Sequence, residues 1–308
     1  MNTFAAFFCL FGIIFALCCH ASEAFPLEKV CGSLSFPEGP AWDGHGSLYF
    51  SQCNLPAISV VDASGEFTAD WTAGGYKCWD KTNGMTFTKD GSLFVCDHGL
   101  NVILKVVAGK SCEVYADNCE GEKFKGPNDL AFDPGGNLYF TDPVGSTLAN
   151  PIGCLFRVEQ KTRKVSKVAD GMAFPNGLAF TKDAKSLYVC ESQKNRILKF
   201  DVKKDGSLGA PQQFADLSPA GKGEPDGMAV DRDGNLWVAH FGNHKVLCVS
   251  PEGKIIGTIA VPHENDWGPT NVEFGGKDYK TLYITDAGSC AVFKTTVKVA
   301  GLRLFSAP

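Results

Sequence analysis

EPDGMAVDRDGNLWVAH, residues 224–240, reads as a strand (GMAVD), a tight Asp233-Gly234 turn and a second strand (NLWVA). Alternating apolar residues with Val and Trp favour strands, and Asp-Gly between two such runs is a strong hairpin signal. The same phrase recurs. NGMTFTKDGSLFVCD opens at Asn83, NDLAFDPGGNLYFTD at Asn128 and NGLAFTKDAKSLYVCE at Asn176, with weaker copies at Glu38 (EGPAWDGHGSLYFSQ) and Asn271 (NVEFGGKDYKTLYITD). Openings at 38, 83, 128, 176, 226 and 271 lie 45, 45, 48, 50 and 45 residues apart. A period of roughly 40–50 residues is that of a four-stranded propeller blade, so six copies predict an all-β, six-bladed β-propeller.

The alignment carries a functional expectation as well. The first strand of a blade lies nearest the axis, so the opening residues Glu38, Asn83, Asn128, Asn176, Asp226 and Asn271 are expected to ring the channel. Asn or Asp before Gly also suits a turn. Turn chemistry does not require carboxylates at two of the six positions, however, and converging carboxylate and amide oxygens are what a hard divalent cation needs. The second strand returns to the same face. Its last residues, Gln52, Asp97, Asp142, Glu191, His240 and Asp286, are expected to form a second polar ring whose negative charge favours a cation. His98, beside Asp97, is a candidate substrate contact.

Residues 4–19 form an apolar run followed by small residues around Ala21 and Ala24. Its length is that of a signal-peptide core, predicting a signal segment 1–24 cleaved after Ala21 or Ala24, with a retained anchor as the alternative. No second such run follows, so a secreted chain free of the membrane is expected. The repeats continue to the end without a linker, which predicts one propeller domain over 25–308, expected to act as a monomer. A net charge of −5 gives no support for nucleic-acid binding. Ten of the 13 cysteines lie beyond residue 24, and at least one disulfide is expected in an oxidising compartment. Cys96 and Cys190 hold equivalent second-strand places and read as buried free thiols. Either residues 27–35 or the tail GLRLFSAP could supply the strand that closes the ring.

The stretches PDGMAVDRDGNLWVAHFG, FPNGLAFTKDAKSLYVCES, GPNDLAFDPGGNLYFTDP and FPEGPAWD together resemble the senescence marker protein / gluconolactonase / luciferin-regenerating enzyme family, which includes regucalcin. NGMTFTKDGSLFVCDHG and FTDPVGST look closest to its gluconolactonase-type members. The resemblance covers essentially all of the chain after residue 24. It implies a lactonase with an axial divalent metal, Ca²⁺ the first choice and Mg²⁺, Mn²⁺ or Zn²⁺ the alternatives. Metal ligands carry over onto Glu38, Asn176 and Asp226, with Asn128 as a further ligand or substrate contact; Asn83 and His98 are expected to face the substrate from their places in the chain, not from the resemblance. The implied substrate is a small lactone, a sugar lactone such as gluconolactone first. Asp226 would serve as general base, and no GxSxG serine-esterase motif is present. The alternatives are a non-catalytic YWTD or NHL binding propeller, a strictosidine-synthase-like propeller, and a phosphotriesterase-like hydrolase. The last would carry a His where Ala287 stands. Pocket specificity is expected in the loops 53–57, 145–153 and 263–268.

Overall fold

The computed structural model describes residues 25–303 and 305. The expected signal segment and its cleavage sites lie outside the described residues. Six four-stranded antiparallel sheets follow one another around an axis. Blade 1 comprises Pro37–Trp42, Leu48–Gln52, Ala57–Val61 and Phe67–Thr68 from the axis outward. Blade 2 comprises Thr82–Phe87, Leu93–Asp97, Val102–Val107 and Ser111–Ala116. Blade 3 comprises Leu130–Phe132, Leu138–Asp142, Gly153–Val158 and Val165–Met172. Blade 4 comprises Pro175–Phe180, Ser186–Glu191, Arg196–Asp201 and Gln212–Asp216. Blade 5 comprises Glu224–Val230, Leu236–Phe241, Lys245–Val249 and Ile255–Ala260. Blade 6 takes Pro269–Gly275, Thr281–Asp286 and Ala291–Thr296, and Glu28–Gly32 pairs with Ala291–Thr296 as its outer strand. The N-terminal segment therefore closes the ring. The tail runs instead under the opposite face, where Leu302 N–H donates to the Val230 carbonyl.

The repeat that made the blades legible also packs them. Each second strand carries Leu-aromatic or an equivalent, and its aromatic ring meets the inner strand of the next blade. Tyr49 packs on Phe87 at 5.0 Å, Phe94 on Phe132 at 4.9 Å and Tyr139 on Phe180 at 5.2 Å. Trp237 and Phe274 continue the series at 6.5 Å, and Tyr283 stacks on Trp42 at 5.6 Å to join blade 6 to blade 1. Such pairs add about 0.5–1.5 kcal/mol each beyond the area they bury. At the hairpin 230–236, the buried Asp231 carboxylate accepts from Asp233 N–H, Asn235 N–H and Trp237 Nε1, which fixes the turn.

Ten cysteines fall in the described residues. Cys78 and Cys112 face each other with Cα atoms 5.8 Å apart, the separation of a disulfide. Cys96 and Cys190 are fully buried free thiols, as their repeat position predicts, and burial pushes both well above the ordinary thiol range.

Candidate functional site

Inner strands converge at the axis so closely that the residue after the ring position has almost no room. A Cβ at Gly39 would lie 2.0 Å from the Asn83 carbonyl oxygen, and one at Gly177 would lie 2.4 Å from that of Asp226. Gly177 does not have a left-handed backbone, so close approach of blades, rather than a turn, requires glycine there. Hydroxyls tie neighbouring strands together: Ser51 Oγ donates to the Asn83 carbonyl and Thr141 Oγ1 to that of Asn176. The ring side chains are thereby aimed at one face.

On that face lies a pocket of 280 Å³ whose lining includes Glu38, Asn83, His98, Asn128, Asn176 and Asp226. Six residues singled out from sequence as site candidates are thus brought together. His98 is held at the rim, its Nε2 3.3 Å from the Cys53 carbonyl and 3.5 Å from Cys53 Sγ.

Asn271 does not join them. Pro269 pairs with Asp286 as Pro37 pairs with Gln52 and Pro225 with His240, so the blade 6 residue in ring register is Thr270. Thr270 is buried, its hydroxyl bonded to the Pro37 carbonyl and to Thr285 Oγ1. Asn271 falls one step deeper, in register with Gly39, Gly84, Asp129, Gly177 and Gly227. Its amide Nδ2 reaches Glu38 Oε2 at 3.5 Å and Asp129 Oδ2 at 3.4 Å. Blades 3 and 6 are opposite, so Asp129 and Asn271 bridge the axis beneath the ring, in the space that Gly84 and Gly227 leave open. This floor was missed from sequence, although the slot held Gly in four copies and Asp129 in a fifth.

The second ring has a different role from the one expected. Ser35 N–H donates to Gln52 Oε1, Asp80 N–H to Asp97 Oδ2, Lys125 N–H to Asp142 Oδ2 and Ala173 N–H to Glu191 Oε1. Each side chain therefore pins the segment entering its own blade, and none of the six lines the pocket. Glu191 also pairs with Lys194 and Arg196 at 2.8 and 2.6 Å. Burial pushes its carboxyl up, but the Ala173 N–H and these two cations outweigh that and hold it below the usual range. His240 Nε2 donates to Asn195 Oδ1 and its Nδ1 accepts from Asn243 Nδ2, and burial lowers it to about 4.

The inner carboxylates are in the opposite condition. Burial pushes Glu38 up to about 8, with Asp129 adding to the rise, against the Gly39 N–H and the Asn271 amide. Burial, then the charges of Glu38, Asp129 and Glu224, hold Asp226 well above the carboxylate range, and the Asn176 amide draws it back only partly. Burial pushes Asp129, in the floor beneath the ring, up to about 7, against the Leu130 N–H and the Asn271 amide. None of the three takes part in an ion pair among the described residues. Carboxylates crowded without a counter-charge, beside two amide oxygens, fit a hard divalent cation.

Three phenylalanines, Phe36, Phe174 and Phe241, also line the pocket and were not foreseen. The loops expected to set specificity lie behind them: Trp267 packs on Phe36, and Ser146 Oγ lies 3.3 Å from Phe174 N–H. At the place of the phosphotriesterase histidine, Ala287 is fully buried.

Residues 36–288 match the family model described as the SMP-30/Gluconolactonase/LRE-like region. Pentonolactonase XacC of Haloferax volcanii is 31% identical over 82% of this chain and 81% of its own. The gluconolactonase of Zymomonas mobilis is 29% identical over 84% of this chain and 78% of its own. Among solved structures, the gluconolactonase XC5397 from Xanthomonas campestris superposes with a TM-score of 0.75 at 26% identity, covering 88% of this chain and 89% of that one. With the match reaching the two inner strands of every blade, the chain belongs to the SMP-30/gluconolactonase/luciferin-regenerating-enzyme-like family.

Proposed function

We propose that the protein hydrolyses a lactone in this pocket, with one divalent cation held by Glu38, Asn128, Asn176 and Asp226. The observation that carries the reading is the pair of buried carboxylates, Glu38 and Asp226, set among amide oxygens without a basic partner at the floor of a small pocket. The lactonases among its relatives support the reaction class. When bound, the cation supplies Lewis-acid polarisation of the ester carbonyl. Asp226 takes a proton from the attacking water as the water oxygen bonds to the carbonyl carbon. The Asn128 amide donates to the oxygen on which charge develops. The ring C–O bond then breaks as Asp226 returns its proton to the leaving ring oxygen, and the carboxylic acid so formed ionises, giving a hydroxycarboxylate and one released proton. Asn83 and His98 orient the ring from the blade 2 side.

Export belongs to the same reading. Cys78 and Cys112, at disulfide separation, support an oxidising compartment. Unreduced protein should titrate eight thiols rather than ten, the ten described cysteines less this pair. The functional test is proton release from a panel of γ- and δ-lactones with Ca²⁺, Mg²⁺, Mn²⁺ or Zn²⁺. Turnover of at least one lactone is expected with at least one of the metals. Silence across the whole panel would leave a binding propeller as the better account.

A further inference from the structure

The position two residues before the ring residue holds Phe36, Lys81, Gly126, Phe174 and Glu224 on blades 1 to 5, and all of these but the exposed Lys81 line the pocket. Phe36 and Phe174 stand on opposite blades. Both have left-handed backbones, with φ of 55° and 60°. That conformation is an outlier for a bulky side chain and costs glycine nothing. Strain of this kind persists where the surrounding structure imposes it, and here it accompanies two rings that face the pocket. Phe241 lies 6.2 Å from Phe36, so an aromatic wall from blades 1 and 5 spans the side where blade 6 offers no ring side chain. Across from it, Val144 fills the space over Gly126, where a Cβ would lie 2.4 Å from Val144 Cγ2.

Above the ring the polar side chains are few. His98 and Glu224 are available, while the Ser192 hydroxyl is committed to the Pro225 carbonyl at 2.6 Å. No lysine or arginine lines the pocket among the described residues. A sugar lactone carries a hydroxyl on nearly every ring carbon, and each one buried without a partner is penalised. Resting on the lactonase reading above, we propose that the pocket selects small lactones bearing an apolar alkyl or aryl substituent, lodged between Phe36 and Phe174, over polyhydroxylated sugar lactones. At 280 Å³ the pocket lies just under the roughly 300–1,000 Å³ typical of drug-sized ligands, which limits the substituent to a short one.

The test compares kcat/KM for δ-valerolactone, δ-hexalactone, δ-octalactone, δ-decalactone and glucono-δ-lactone. The expected result is a rise of about two- to fourfold per methylene until the pocket is full, since each buried methylene contributes on that order. Glucono-δ-lactone should lie below δ-octalactone. Phe36→Gly and Phe174→Gly should each reduce the octalactone-to-valerolactone ratio about tenfold, and glycine's ease in the left-handed backbone offsets part of the packing lost with each ring. A folding defect would lower both lactones together and leave their ratio alone. Preference for glucono-δ-lactone, or a ratio unchanged in both variants, would overturn the proposal. If no lactone is turned over, the lactonase reading fails, and calorimetric titration of the matching alkyl δ-lactams still reads the wall. Lactam affinity that does not rise with chain length, or rises equally in both variants, would overturn the apolar assignment on its own.

Discussion

The two polar rings of this propeller look alike in sequence and differ in the company they keep. Inner Glu38 and Asp226 are buried against each other and Asp129, with no cation among the described residues. Outer Gln52, Asp97, Asp142 and Glu191 accept backbone N–H groups of their own blades, although Asp142 Oδ1 and Asp286 Oδ1 keep no partner among the described residues. Burial raises Asp97, Asp142 and Asp286 too, against those donors. What separates a site from a structural motif here is whether the carboxylate is tied to the segment entering its blade, and Glu38 keeps only the adjacent Gly39 N–H and the Asn271 amide. The outer ring is bound into the fold, and the inner ring is left for something else.

Neutralising one member of each ring should separate them most sharply. Asp226→Asn keeps an oxygen and nearly the same volume, and kcat should fall about 10²–10⁴-fold with loss of a general base. The metal-free melting temperature should hold or rise, since a buried repulsion is removed. Glu191→Gln should do the reverse, sparing kcat and costing about 1–3 kcal/mol in denaturant unfolding, as Lys194 and Arg196 lose their counter-charge and an amide NH2 replaces one of the two accepting oxygens. An activity loss in Glu191→Gln at unchanged stability would erase the distinction.

The pH dependence of stability has opposite signs at Glu38 of the inner ring and His240 of the outer one. Glu38 rises to about 8 on folding, so the folded metal-free protein holds more protons and loses stability as pH climbs from about 4.5 through 8. A saturating divalent cation should flatten that alkaline arm. His240 is depressed to about 4, so its contribution is complete above pH 6.5 and is lost as pH falls toward 4, with or without metal. Thermal melts from pH 4 to 9 with and without Ca²⁺ check both arms, and an alkaline arm indifferent to metal would count against the inner site. The smallest effect is expected for Asn83→Ala, less than about tenfold in kcat/KM, because this side chain only orients the ring.

Much of this arrangement was legible in the sequence, for an identifiable reason. A blade cannot bury its faces alone, so the inner-strand and Leu-aromatic patterns repeat and expose the period. The ring residues Glu38, Asn83, Asn128, Asn176 and Asp226 followed from that register. Blade 6 misled the alignment by one residue, since Asn271 resembled the other Asn openings while the pairing of Pro269 with Asp286 places Thr270 in the ring. Phe36 and Phe174 were visible as letters, yet their left-handed backbones, which sequence does not display, turn them into a wall. The donors that claim the outer ring come from segments about 17 residues upstream, where no local pattern signals them.

The most direct measurement is a calorimetric Ca²⁺ titration of exhaustively chelated protein, with lactone hydrolysis followed at each addition. One equivalent should bind, heat and activity should saturate together, and Glu38→Ala and Asn176→Ala should lose both. Full hydrolysis by protein verified metal-free, or binding that leaves activity untouched, would contradict a catalytic cation at the inner ring.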